Sequence, residues 1–110
     1  MEFNEYQKKS RATAQYPEKN KIIYPASGLG SEVGEVLGKV KRWLRGEDGD
    51  GEMSEERKLS IKDELGDVLW YIAVLADDLG FKLEDVAIRN VEKLQSRKDR
   101  DKIHGSGDNR

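Results

Sequence analysis

Apolar residues recur at steps of three and four along most of this 110-residue chain, and this spacing is the strongest constraint on its fold. Such steps place the apolar side chains on one side of an α-helix. The clearest stripe runs through residues 61–79, and another occupies residues 29–44. No alternation typical of strands and no hairpin signal competes with this pattern. The sequence therefore predicts an all-α fold, a small bundle of four to five helices.

Capping residues and prolines set the expected helix ends. The predicted helices cover, in order, about residues 3–14, 27–45, 55–79 and 83–97. Residues 17–25, which begin and end with proline, are predicted as a loop, and the glycine-rich residues 46–51 as a flexible acidic connector. Ser54 is expected to cap the third helix, and Gly80 to end it. Residues 98–110 are expected to form a polar, flexible tail.

Charge and residue types argue against several classes of protein. A net charge of −2 disfavours a dedicated nucleic-acid binder. The longest apolar run, residues 68–76, is far too short to span a bilayer, and the chain does not start like a secretory signal. We therefore expect a cytoplasmic protein with no membrane and no nucleic-acid partner. The chain has no cysteine and a single histidine, His104, so a metal would need carboxylate ligands, which suit Mg²⁺ or Mn²⁺.

Four acids flank the apolar stripes of the second and third helices. Glu32 and Glu35 are three residues apart, and Glu64 and Asp67 repeat that spacing. Antiparallel packing of the two helices could bring all four carboxylates together, where they would repel without a cation. Spacing alone favours a solvated acidic face, with Lys39 or Arg42 pairing with the glutamates.

The fourth helix adds polar groups to this pattern. Asn90 lies on its apolar stripe, so a buried amide in need of partners is expected there. Lys93 and Arg97 follow on the same side. An amide and two cations facing a metal cluster would suit a polyphosphate. The alternative is an amide bonded to a neighbouring helix, with two cations at the edge of the bundle.

Apolar residues outside the main stripe of the third helix indicate further burial. Trp70, Tyr71 and Val74 lie away from that stripe. A small helical chain has little surface of its own to cover them, so we expect a homodimer or a larger homo-oligomer.

Three segments, in order, resemble the MazG-type nucleotide pyrophosphohydrolases. They are LGSEVGEVLGKVK (29–41), DELGDVLWYIAVLADDLG (63–80) and LEDVAIRNVEKLQSR (83–97). The family motif is Glu-x-x-Glu, a variable gap, then Glu-x-x-Asp. Its positions in this chain are Glu32, Glu35, Glu64 and Asp67. The resemblance identifies residues 1–97 as a MazG-like domain.

This resemblance implies an all-α enzyme that hydrolyses nucleoside triphosphates to the monophosphate and pyrophosphate, with a role in clearing surplus or non-standard nucleotides. It implies that the four acids bind Mg²⁺, with Mn²⁺ as a substitute, and that a metal-activated water attacks phosphorus. One of the glutamates could instead act as the base. It also implies a homodimer or homotetramer. The positions that it assigns to the substrate are Lys39, Asn90, Lys93 and Arg97.

Other functions remain open at this stage. A relative could act on another pyrophosphate-containing nucleotide, such as phosphoribosyl-ATP or an alarmone. A non-catalytic helical interaction module would keep the acids for solubility, and a basic surface binder would use the cations of residues 39–45. Trp43 and Trp70 could stack on a base, but packing in the core is the favoured interpretation for both.

Overall fold

The computed structural model describes all 110 residues and contains four α-helices, one short 3₁₀ turn and no strand. The helices are α1 (Phe3–Ala12), α2 (Ile23–Leu44), α3 (Glu55–Asp78) and α4 (Leu83–Asp99), with the 3₁₀ turn at Glu18–Asn20. The all-α prediction is therefore confirmed. No helix combines enough length and apolar character to cross a membrane.

Helices α2 and α3 form the most extensive packing in the molecule. Lys39 near the end of α2 contacts Ser60 near the start of α3, whereas Gly28 near the start of α2 lies against Tyr71 towards the end of α3. The two helices are therefore antiparallel. This arrangement places the middle of α2 beside the middle of α3, where the acidic residues lie.

Local chemistry explains both ends of α3. The Ser54 side chain accepts a hydrogen bond from the Arg57 N–H at 3.1 Å, which satisfies one unpaired donor of the first turn. Gly80 adopts a φ of +83°, which glycine tolerates without strain, just after the helix ends at Asp78. Both sequence predictions for this helix are confirmed.

The prediction for residues 17–25 is wrong at its end. Helix α2 begins at Ile23 and includes Pro25 in its first turn, where a missing N–H leaves no hydrogen bond unmade. Ile22 precedes it with a φ of +70°, a conformation that is strained for a β-branched residue. The Ile22 N–H donates to the Asp78 carboxylate at 2.9 Å, so a contact to α3 holds this turn.

Helix α1 packs against α3 and the start of α4. Its Gln7 side chain is buried, donates to the carbonyls of Ala73 and Phe81, and accepts from the Leu83 N–H. The Asn4 amide oxygen accepts from a second N–H in the first turn of α4. Two amides of α1 thus supply the cap that α4 lacks in its own sequence.

The residues outside the main stripe of α3 are at least partly covered within the chain itself. Val74 is fully buried, and the Trp70 indole N–H donates to Thr13 at 2.8 Å. Tyr71 is half-buried against Gly28 of α2. Contacts within the chain thus bury Val74 and cover part of Trp70 and Tyr71, so these three side chains do not by themselves require a second copy.

Other apolar side chains nevertheless remain in solvent. Leu37 is 63% exposed and Val91 is 66% exposed. The accessible surface is 8175 Å², whereas a compact 12.5 kDa monomer exposes about 6,200 Å². The radius of gyration is 17.0 Å, against about 13 Å for a compact domain of this size. A single chain thus leaves apolar surface of α2 and α4 without a partner.

Candidate functional site

Three carboxylates converge where α2 and α3 face each other. Glu32 lies on α2, and Glu64 and Asp67 lie on neighbouring turns of α3. One oxygen from each lies within 4.8 Å of the other two. Antiparallel packing produces this arrangement, because it places the middle turns of α2 beside the middle turns of α3.

The electrostatics of this cluster are unfavourable for a bare chain. Burial raises the pKa of Glu32, and so do a hydrogen bond with Glu64 and the negative charges of Asp67, Glu64 and Glu35. Three carboxylates at this separation supply the hard oxygen donors that a divalent cation such as Mg²⁺ prefers. A cation of this kind would replace the repulsion with attraction, so the donor set fits a metal site.

Glu35 is outside the three-carboxylate cluster. It lies one turn after Glu32 on α2, its side chain is exposed, and it makes no hydrogen bond or ion pair. Its charge still contributes to the raised pKa of Glu32. The structure therefore brings together three of the four acids of the motif, with the fourth beside them.

Lys39 is the cation that lies against the cluster. Its ammonium nitrogen is 3.6 Å from a carboxylate oxygen of Glu64, and both side chains are 19% exposed. The same nitrogen donates to the hydroxyl of Ser60 at 2.5 Å. The structure thus places a positive charge at one end of the acidic cluster.

Tyr71 lies one turn after Asp67 on α3, and no motif of the sequence indicated it as a site residue. Burial raises the pKa of its hydroxyl, as do a hydrogen bond with Tyr24 and the charges of Glu32 and Asp67. Its ring occupies the space that a side chain at residue 28 would need, and only glycine leaves that space open. Gly28 is the sequence feature that reflects this contact, but it could be interpreted only by knowing which residue of α3 faces it.

The three α4 residues predicted to bind substrate make no hydrogen bond or ion pair with the acidic cluster. Asn90 is exposed rather than buried, because the stripe on which it lies faces solvent in the single chain. The Lys93 ammonium lies 3.5 Å from the carboxylate of Asp108 in the C-terminal tail. The prediction that Asn90 is buried is therefore wrong for the isolated chain.

Arg97 is enclosed by the tail. It is only 5% exposed, its guanidinium donates to the carbonyls of Gly107 and Asp108, and its Nε has no partner. The terminal Arg110 organises this segment by donating to carbonyls at residues 102, 103 and 107. Residues 101–110 therefore fold back against the end of α4.

The connector between α2 and α3 is anchored at one point. Asp48 accepts hydrogen bonds from the Arg57 guanidinium at 2.8 Å and 3.0 Å and from the Ser54 N–H at 3.3 Å. The hydrogen bond to Arg57 lowers the pKa of Asp48. This carboxylate is therefore occupied by the protein's own cation.

The chain belongs to the MazG family: residues 25–100 match the MazG nucleotide pyrophosphohydrolase domain. This match spans all of α3, nearly all of α2 and all of α4, and it includes the whole acidic cluster. The resemblance inferred from the sequence is confirmed, and the protein is an all-α nucleotide pyrophosphohydrolase by family.

Two relatives show the extent of the similarity. The Gene 37 protein of Mycobacterium phage L5 is 45% identical over 116 aligned positions, which cover the full length of both chains. The uncharacterized protein YvdC of Bacillus subtilis (strain 168) is 39% identical over 72 positions, covering 63% of this chain and 68% of that protein. No solved structure matches the chain significantly.

Proposed function

We propose that this protein hydrolyses (deoxy)nucleoside triphosphates between the α and β phosphates, in a Mg²⁺-dependent reaction that yields the monophosphate and pyrophosphate. The observation that supports this function best is the cluster of Glu32, Glu64 and Asp67 within a MazG domain. Mn²⁺ is expected to substitute for Mg²⁺, because both prefer carboxylate oxygen ligands.

Glu32, Glu64 and Asp67 would hold the divalent cation, and Glu35 on the next turn of α2 would be the fourth acid of the site. A bound cation of this kind neutralises phosphate charge and lowers the pKa of a coordinated water. Lys39 adds a second positive charge beside Glu64, where it would neutralise further phosphate charge. Phosphoryl transfer depends mainly on positioning and charge neutralisation, so a site of acids, lysine and amide needs no covalent nucleophile.

Helix α4 supplies the remaining contacts to the substrate. Asn90 and Lys93 bind the nucleotide, and Arg97 contributes a further cation once residues 107 and 108 release its guanidinium. Lys93 would exchange its 3.5 Å contact with the exposed carboxylate of Asp108 for the nucleotide, and such an exposed pair costs little to break.

A second copy of the chain completes the fold in this proposal, as a homodimer or homotetramer. Support comes from the surplus of accessible surface and from the exposed Leu37 and Val91. Light scattering after size exclusion would give the mass. Leu37→Glu should lower it, because a charge at the centre of an apolar interface is costly to bury. A wild-type protein that stays monomeric at high concentration would contradict the assembly.

The reaction is tested by incubating the purified protein with canonical and modified triphosphates, with Mg²⁺ and with a chelator, and identifying the products. Monophosphate and pyrophosphate formed only with the metal are the expected result. Diphosphate and orthophosphate would refute the assigned bond. Turnover of another pyrophosphate-containing nucleotide alone would transfer the activity to that substrate, and no turnover at all would favour a binding module.

Matched variants separate the site from general effects of charge removal. Glu64→Gln should abolish turnover and retain the fold, because it removes one ligand of the cluster. Glu55→Gln removes the same charge from an exposed position in the first turn of α3 and should leave turnover unchanged. Equal losses in the two variants would contradict a specific role for the cluster.

A further inference from the structure

We propose that Ser60 is a positioning residue that holds Lys39 beside the acidic cluster instead of within it. The Lys39 ammonium lies 2.5 Å from the Ser60 hydroxyl and 3.6 Å from the nearest oxygen of Glu64. The shorter of these two contacts is to the neutral hydroxyl, although a carboxylate is within reach. This inference rests on the proposed function for the meaning of the cluster.

Residues on one face of α3 contact both the backbone carbonyl and the side-chain ammonium of Lys39. Arg57, Ser60 and Glu64 follow each other at steps of three and four, so they lie on the same side of the helix. Arg57 donates from its guanidinium to the backbone carbonyl of Lys39 at 3.2 Å. The Lys39 ammonium donates a hydrogen bond to Ser60 and forms an ion pair with Glu64. The position of Lys39 relative to α3 is thus set at two points.

The connector reinforces this arrangement. Arg57 has its guanidinium fixed by Asp48, whose side chain is only 6% exposed. The guanidinium therefore has little freedom to leave the Lys39 carbonyl. A chain of contacts runs from the connector through Arg57 to the backbone of α2 and fixes the distance between Lys39 and Ser60.

A lysine needs this support because its four-carbon chain is flexible and its ammonium has three donors to satisfy. Without the hydroxyl, the carboxylate of Glu64 is the remaining partner within reach. The ammonium would then compete with the divalent cation for the oxygens of Glu64. Ser60 therefore favours metal binding without touching the metal.

The test measures the dissociation constant of Mn²⁺ by calorimetry in wild-type and variant proteins. Ser60→Ala should weaken Mn²⁺ binding about fivefold, which corresponds to a partly exposed hydrogen bond to a charged group. Ser60→Thr keeps the hydroxyl and should restore wild-type affinity. Ser96→Ala removes a serine hydroxyl of α4 that is hydrogen-bonded to Arg100, and it should have no effect.

A double-mutant cycle separates positioning from general stability. If Ser60 acts through Lys39, then Ser60→Ala should change the Mn²⁺ dissociation constant less than twofold in a Lys39→Met background. An equal effect in both backgrounds would overturn the proposal. So would unchanged Mn²⁺ affinity in Ser60→Ala while the wild type binds. Absence of Mn²⁺ binding by the wild type would instead refute the metal site, and the proposed function with it.

Discussion

Gly28 is where a single methyl group should have the clearest effect on this structure. A Cβ at that position would overlap three atoms of the Tyr71 ring, including Cδ1 at 2.6 Å. The ring has little room to retreat, because its centroid is 6.4 Å from that of Tyr24 and 4.9 Å from that of Trp70. Gly28→Ala should therefore force Tyr71 out of its place beside the acidic cluster.

Two opposing terms determine the size of the effect. Overpacking against a confined ring costs about 3 kcal/mol, the upper part of the usual range. Replacing glycine with alanine inside a helix stabilises the helix by about 1 kcal/mol. The net loss is about 2 kcal/mol, which lowers the melting temperature by roughly 8 °C in a domain of this size.

Gly30→Ala is the matched control, because a methyl there meets no atom within 4 Å. Only the helix term applies, so Gly30→Ala should raise the melting temperature by about 4 °C. Thermal unfolding at one protein concentration measures both variants, since assembly would make the temperature concentration-dependent. A Gly28→Ala protein as stable as Gly30→Ala would refute the packing of Tyr71 on α2.

Three further outcomes follow from contacts described above. Asp78→Ala should cost about 2 kcal/mol, because it removes the acceptor shared by the Arg11 guanidinium, the Tyr16 hydroxyl and the Ile22 N–H. Asp77→Ala removes a single exposed contact with Arg11 and should cost less in urea unfolding. The pKa of Glu32 is raised above the ordinary 4.5, so metal-free protein should lose stability as pH rises through the folded value, and the stabilisation by Mg²⁺ in thermal melts should grow over the same window. A Mg²⁺ effect that is independent of pH would contradict this coupling. Arg97→Met should increase the backbone mobility of residues 107 and 108 in NMR relaxation measurements, because their carbonyls lose the guanidinium, whereas Lys98→Met should not.

Features that depend on neighbouring residues could be predicted from the sequence. Ser54 and Gly80 act on their own helix ends, so their roles follow from residue type and position alone. The approach of Glu32 to Glu64 and Asp67 also follows from helical periodicity once two helices are assumed to pack antiparallel. The family motif pointed to the same residues, and the structure brings three of its four acids together.

Features that depend on the register between helices could not be predicted. The pairing of Lys39 with Ser60 requires knowing which turn of α3 faces which turn of α2, and a stripe of apolar residues does not specify that. Pro25 looked like the end of a loop because a proline is tolerated both there and in a first helical turn. The exposure of Asn90 depends on what covers α4, and the chain itself does not supply that partner.

The buried amide of Gln7 has a consequence for how the chain folds. Its partners lie 66 to 76 residues away in sequence, whereas Lys39 and Ser60 are separated by 21. Closing a long loop costs more chain entropy than closing a short one, so the α2–α3 hairpin should form first and α1 should dock last. The acids would then converge on the nascent hairpin before the N-terminal helix is in place. A divalent cation present during refolding should therefore accelerate the hairpin step more than the docking step.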